Sequence, residues 1–403
     1  MTIPARHPER PLAVPALVRL FALLLGLREP TPEQWRRLGE QLTAGDEPMD
    51  RLVEWMPTAG MHEARALFER ASAVGIENVP EAPEPLREFF IRVESAPEWV
   101  DWDKVRKGQR ALRIGGADGM YVARDVSLLG GYQFSGFNKT LLRTGALEKG
   151  SNRRFAETMQ WAMDVISDGG LVPFGIGYRS TLRVRLIHAL VRRHIAAMPD
   201  WRTDEWGLPV NQTDMAATLV GALVAPPAGA MGMGLLPGPG DLDAIAHLTR
   251  YVGWLIGVQD EWLPHNFRDG IRVLFHTATA LSKPDDSTQQ LSVPMAEDPL
   301  SWHYRSVSGL RRRLAWAQHL SVTSGFLGPR AMRTLGLAYM PPWYPLLRIP
   351  VNVGRSVAAL ILPGGRNRAA SRGQREQKTL LHTIIGDAEA KIGDSASHMS
   401  SVV

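Results

Sequence analysis

Residues 151–197 read SNRRFAETMQWAMDVISDGGLVPFGIGYRSTLRVRLIHALVRRHIAA. The spacing predicts two helices joined by a Gly/Pro-rich loop. Ser151 or Asn152 is placed to cap the first, which runs through Arg154, Glu157, Thr158, Trp161 and Val165 and stops at Gly169-Gly170. Ser180 is placed to cap the second, Thr181 to Ala197, which Pro199 ends. Arg154, Glu157, Thr158 and Trp161 follow i, i+3, i+4, i+7 spacing, so they share a face that is polar where a plain core helix would be apolar. On the second helix Val184, His188, Val191 and Ile195 line up, and one imidazole projects from an otherwise apolar stripe.

Working outward, the same periodicity recurs in Glu33 to Leu42, Pro48 to Ala73, Trp102 to Leu112, Asp241 to Val258 and Ser306 to Leu320, while alternating strand patterns are scarce. The expected fold is all-α. Asp168 to Gly177 and Pro226 to Gly240 read as structured loops. Three parts are expected: an N-terminal helical extension over 1–95, a central domain over 96–340, and an apolar segment with a flexible basic tail over 341–403. The apolar stretch Leu12 to Leu27 carries Pro15 and Arg19 and is shorter than the roughly 20 residues a bilayer requires, so it reads as a buried or membrane-surface helix. A cytoplasmic location, with membrane association as an option, follows as an expectation.

Composition narrows the chemistry. The 403 residues are 44% hydrophobic and 22% charged, as in an ordinary globular protein. No cysteine occurs, which removes disulfides, thiolate catalysis and iron–sulfur centres. With 46 basic against 41 acidic side chains, the excess is too small to imply a nucleic-acid surface. There is no His-Glu-x-x-His helix, Gly-x-Ser-x-Gly elbow or Walker loop, and the glycines of 229–240 have no strand-to-helix setting for a nucleotide.

His188 then has two readings. It is a core histidine bonded to a backbone carbonyl, or it looks into an apolar pocket with Arg185 and Arg192 at i−3 and i+4. An apolar disc bearing two carboxylates and a metal that takes one imidazole nitrogen fits the second arrangement: haem on a proximal histidine, with the arginines toward its propionates. Arg154, Glu157 and Thr158 would then be distal groups; otherwise they form a solvated helical face. Trp161, Phe174, Met231 and Met233 are candidates for the apolar wall.

Arg154-x-x-Glu157-Thr158-x-x-Trp161, the following loop, Val184-Arg185-Leu186-Ile187-His188-Ala189-x-Val191-Arg192, and Trp254-x-x-Gly257-Val258 leading to Trp262-Leu263-Pro264 together resemble the latex-clearing-protein or rubber-oxygenase family, which includes the MpaB-type oxygenases. The resemblance spans roughly Glu98 to Gly325. It implies an all-α, globin-like helical core with additional helices around a pocket for haem b, and dioxygen as co-substrate. It places the proximal ligand on His188 and the distal Arg and Thr on Arg154 and Thr158. Where family members carry a distal lysine, this chain has Glu157. Where they carry a carboxylate base, the counterpart here is Gly136-Phe137-Asn138-Lys139, with Glu148 the nearest acid.

The leading expectation is a haem-dependent, dioxygenase-like enzyme acting on an apolar, isoprenoid or lipid carbon–carbon double bond, with Arg154, Glu157 and Thr158 as the distal catalytic cluster. Rubber itself is disfavoured as substrate. The alternative is a haem-binding sensor or carrier without turnover, motivated by Glu157 and the missing base. A third reading is a cofactor-free helical protein docked on membranes through Leu12 to Leu27 or Pro341 to Pro363.

Overall fold

Helices supply all the regular structure among residues 2–145, 150–281 and 283–393, which the computed structural model describes, and no strand occurs among them. The helices that frame the site are α1 (Ala16–Leu24), α2 (Glu47–Ala59), α3 (Trp102–Ile114), α4 (Ser151–Ile166), α5 (Ile176–Ala196), α6 (Gln212–Leu223), α7 (Ala225–Met231), α8 (Asp241–Ile256), α9 (Trp343–Ile361) and α10 (Gly365–Ile385).

α5 lies in the middle. Tyr178, Leu182, Leu186, Ala189, Leu190 and Ile195 are buried along it, and α2, α4 and α8 pack around it. The buried residues of α5 include Ser180, Thr181, Arg185 and Arg192, so its neighbours have to satisfy polar groups as well as apolar ones. α3 in turn rests on α8 and α10. At the α3–α10 crossing a Cβ on Gly373 would overlap the Arg113 carbonyl oxygen, so a residue with no side chain lets the backbones meet.

Several boundaries differ from the sequence reading. α4 is capped by Gly150, because the Ser151 hydroxyl is bonded to Asp298 (2.5 Å) and the Asn152 amide to Ser301 (2.7 Å). α5 starts at Ile176, five residues before Thr181, and the Ser180 hydroxyl donates to Gly177 O (3.2 Å) within the helix. The early start is permitted by Gly177, where a Cβ would lie 2.7 Å from Asp164 O. The segment 48–73 divides at Gly60 (φ 87°) into α2 and the helix Met61–Val74. The expected loop 226–240 opens as helix α7, with its prolines in the first turn, where no intrahelical N–H partner is needed.

The largest correction concerns the C-terminal part, expected to be a loose basic tail from about Gly365. Residues Gly365–Ile385 form α10, which buries Ala369, Ala370, Gly373, Gln377, Leu380 and Ile384 along one face. The basic residues between them occupy the outer face. Small residues rather than leucines make this seam, and hydropathy therefore understates it.

α1 is half-buried. Its Leu17, Val18 and Phe21 turn toward a cavity, and Leu20, Leu23 and Leu24 are exposed. The stretch Gln212–Met231 is the one among the described residues long and apolar enough to cross a membrane; 67% of its apolar window is buried inside the fold, as for a core helix.

Candidate functional site

α4 and α5 are joined by a short loop and run back along each other. Near the loop the Trp161 indole Nε1 donates to Thr181 Oγ1 (3.1 Å), which in turn donates to Gly177 O (2.7 Å). Seven residues farther from the loop on each helix, about 10 Å at 1.5 Å per residue, stand Arg154 and His188. By helical register Arg154 of α4 and His188 of α5 thus stand at about the same level, and the charged neighbours of His188 are Arg192 and Asp46.

His188 is half-buried, and its Nδ1 is shut from solvent with no hydrogen-bond partner among the described residues. Desolvation, reinforced by the nearby Arg192 charge, pushes its pKa down to about 4, so the ring is neutral near pH 7. Neutral imidazole is the form that ligates metals. No group of three His, Asp or Glu side chains among the described residues converges to hold a metal ion, so an iron here would have to come with other ligands of its own.

The titration has a consequence for stability. Between pH 6.5 and 4 the unfolded chain binds a proton at position 188 that the folded chain refuses, so this contribution is full above pH 6.5 and is lost as pH falls through that window. In the cofactor-free protein, His188→Gln is expected to flatten the pH dependence of the urea midpoint by up to about 1.4 kcal/mol per pH unit. Equal slopes for variant and wild type would contradict the neutral assignment.

On the facing helix, Arg154 Nη2 donates to the Tyr132 hydroxyl (3.1 Å), with the guanidinium 6.0 Å from that ring. Thr158 Oγ1 donates to Arg154 O (3.1 Å), which leaves its lone pairs open to the cavity it lines. Glu157 is buried, and its Oε2 accepts the Gly393 N–H (3.2 Å). A Cβ on Gly393 would lie 2.5 Å from Ile187 Cδ1, so a strand of backbone sits between Glu157 of α4 and Ile187 of α5. The helices therefore stand apart at this level.

Arg185 and Arg192, read from sequence as propionate partners, are turned to carboxylates. Arg185 makes a buried two-point pair with Asp46 (2.6 and 2.7 Å), donates to Leu255 O (3.2 Å), and lies 5.2 Å over the Phe89 ring. Arg192 Nε bonds Asp50 (2.9 Å) and its Nη1 bonds Val210 O (2.6 Å). These pairs fasten α5 to the start of α2 and fix the rotation that presents His188. Gly257 (φ 88°) completes the packing, since a Cβ there would overlap Asp46 Oδ2 and come within 2.7 Å of Arg185 Nε.

An apolar cavity of about 260 Å³ runs along α4, walled by Phe155, Thr158 and Trp161, by Thr218 of α6 and by Phe21 of α1. A second, of about 120 Å³, shares Met120, Ala123, Ala162, Ala222 and Leu223 with it. Trp161 is in the wall as expected. Phe174 is not: it holds φ 66°, is half-exposed, and packs edge-on to Tyr178. Met233 is buried with Val122 and Ala230 instead, and Met120 and Met159 supply the sulfur-bearing wall.

Asn138 is buried and bonded to Tyr132 O (2.8 Å), Lys139 pairs with Asp285 (2.6 Å), and Glu148 lies outside the described residues. Sequence reasoning missed Tyr132, Asp46 and Asp50, whose roles depend on long-range contact. It also missed a buried relay behind α4. Asp125, on the wide turn Ala123–Leu128, accepts from Arg124 (2.7 Å) and pairs with His319 Nδ1 (2.5 Å), while Tyr121 and Trp302 stand edge-on to the imidazole.

Comparison with known proteins agrees with this architecture. The family model described as ER-bound oxygenase mpaB/B'/rubber oxygenase, catalytic domain, matches residues 119–360. A rubber oxygenase of Streptomyces sp. (strain K30) is 23% identical over 186 residues, covering 45% of this chain and 45% of that protein, so the match spans less than half of the relative. The structure of latex clearing protein LCP in the closed state superposes with a TM-score of 0.65 at 17% identity, over 85% of this chain and 91% of that one, a likeness of fold. Because the family model spans more than half of the sequence, the chain belongs to the mpaB/rubber-oxygenase catalytic-domain family, a family of oxygenases.

Proposed function

We propose that this protein is a haem b-dependent, dioxygenase-like enzyme that cleaves a carbon–carbon double bond in an apolar, isoprenoid or lipid substrate. The observation that carries the reading is the neutral His188, with its unpartnered Nδ1, on a helix packed against α4, whose Thr158 lines an apolar cavity, in an oxygenase-family fold.

His188 would hold the iron through its other ring nitrogen. Haem b, when bound, supplies an iron that activates dioxygen. The chain's own residues do the rest. Tyr132 holds the Arg154 guanidinium, whose fixed positive charge would stabilise negative charge developing on oxygen. The Thr158 hydroxyl can move its proton from Arg154 O to a closer acceptor. Phe155, Trp161 and Phe21 exclude water and favour a hydrocarbon substrate. Arg185 and Arg192 act in this scheme through Asp46 and Asp50, orienting α5; direct pairing with propionates would require exchange of those carboxylates. Glu157 would act as acid or base only after release from Gly393.

The step balances without an added reductant: one dioxygen and one alkene give two carbonyl groups, each carbon of the broken bond taking one oxygen atom. The test is incubation of haem-containing protein with squalene under air and under argon, with carbonyl products captured by a hydrazine. Product under air alone is expected, falling at least tenfold in Arg154→Leu. A second reading, a haem-binding carrier or sensor, is favoured by the structural use of Asn138 and Lys139 where a base would stand. Reversible carbon monoxide binding with no oxygen-dependent product from squalene or another polyene would establish that reading instead.

A further inference from the structure

α9 is built inside out. Its protein-facing side is polar: Arg348 Nε and Asn352 Nδ2 both donate to Asp118 Oδ2 (2.8 Å each), Asn352 also donates to Met233 O (3.0 Å), and Ser356 Oγ accepts the Leu236 N–H (3.0 Å). Its outward side carries Leu346, Leu347, Val351, Val357, Leu360 and Ile361, all exposed, Ile361 at 71%. Between them on that arc lie Pro350, Val353, Gly354 and Ala358. Over about 22 Å of helix, the face turned away from the protein bears no charged or hydrogen-bonding side chain. Amphipathic helices of a water-exposed surface have the opposite polarity.

The neighbours extend this surface. The exposed Leu20, Leu23 and Leu24 belong to α1, and the backbone around α7 connects the two helices. A Cβ on Gly229 would lie 3.7 Å from Leu17, and one on Gly234 would lie 3.1 Å from Val353. Trp343 begins α9, and the half-exposed Tyr339 precedes it. Immediately after α9, the 21 residues of α10 hold Arg366, Arg368, Arg372, Arg375 and Lys378 against Glu376 as the one acid. Of these cations Arg368, Arg375 and Lys378 are exposed.

We infer that the outward face of α9, extended by α1, docks on an anionic lipid bilayer, with α9 lying in the interface. A protein partner of comparable area would be met by about one hydrogen bond per 100–200 Å², and this face offers no side chain to make them. An aliphatic face with aromatic residues at one end and a cationic helix at the other has the composition of interfacial helices. The face also leads inward. Ser356 and Ala359 of α9, with Leu236, wall the 120 Å³ cavity, which shares five residues with the cavity at Thr158 and Trp161. A lipid-dissolved substrate would pass from beneath α9 to the site by this route; that part rests on the proposed function, and the docking does not.

The test is flotation of the full chain at 150 mM NaCl with phosphatidylcholine vesicles and with vesicles containing 30% phosphatidylglycerol. The wild type is expected to float with the anionic vesicles and more weakly with the neutral ones. L347E/I361E alters two side chains that project away from the fold, and is expected to lower the partition coefficient at least tenfold with an unchanged melting temperature. Leu310→Glu, at an exposed leucine on the helix Ser308–Thr334, serves as the control and is expected to bind as wild type does. Failure of the wild type to float with either vesicle, or undiminished flotation of L347E/I361E, would overturn the inference. A dimer in light scattering that L347E/I361E dissociates, without flotation, would assign the face to a second copy of the chain. Flotation of a protein that takes up no haem would leave the docking standing and remove the functional reading.

Discussion

His188→Ala is expected to purify with a Soret absorbance per chain at least tenfold below that of the wild type, on the proposal that His188 holds haem iron. Haem would be held by one protein bond to iron, and even residues that only support a metal ligand change affinity 10–100-fold when removed. Of the other histidines that the fold buries, His247 and His276 are engaged, whereas His319 keeps a buried Nε2 without a hydrogen-bond partner among the described residues. His247 Nε2 accepts the Asp101 N–H (2.8 Å), His276 is bonded to Arg28 O (3.0 Å), and His319 is paired with Asp125 (2.5 Å). The variant removes a ring whose Nδ1 has no hydrogen-bond partner among the described residues, so folding should tolerate it, and His188→Gly with added imidazole should recover part of the Soret band. Retention of full haem by His188→Ala would move the ligand elsewhere.

Asp46→Ala is expected to cost about 3–5 kcal/mol, read as a lowered urea midpoint at unchanged slope. The Arg185 guanidinium is buried and loses both short bonds to Asp46 at once. Leu255 O and the Phe89 ring remain as partners, and neither neutralises it. Asp46→Asn, which keeps the shape and removes the charge, should cost less. Arg185→Met in the Asp46→Ala background should recover much of the loss, because it removes the uncompensated charge. A loss below about 1 kcal/mol for Asp46→Ala would show that the pair is solvated in solution, and would weaken the view that it fixes the orientation of His188.

What the sequence made legible follows from the range of the interactions. The α4–α5 hairpin is visible because its signals are local: 3.6-residue spacing, a Gly/Pro interruption, and one polar face opposite one apolar stripe. The two helices are therefore found packed together, with Trp161 bonded across to Thr181. The destination of the arginines was not legible. Asp46 and Asp50 lie about 140 positions before Arg185 and Arg192, and nothing in the local pattern distinguishes a cation meant for a carboxylate from one meant for a propionate.

α10 was misjudged for a different reason. Its buried seam is Ala369, Ala370, Gly373 and Gln377, which contributes little hydropathy but allows close backbone approach to α3. α9 was recognised as apolar, yet its orientation could not be read, since the polar groups Arg348, Asn352 and Ser356 would ordinarily be assigned to the solvent side. Asp118 settles it by gathering Tyr344, Arg348 and Asn352 on the inner face. The helix start at Ile176 was hidden by a glycine that reads as a breaker and serves as a packing point.

The measurement that bears most directly on the account is the absorption spectrum of the purified wild-type protein, as isolated and after dithionite with carbon monoxide, with haem counted by the pyridine haemochromogen method. The account predicts haem b at about one per chain and a Soret band that shifts on binding carbon monoxide. A colourless protein that also fails to take up added haemin would contradict it.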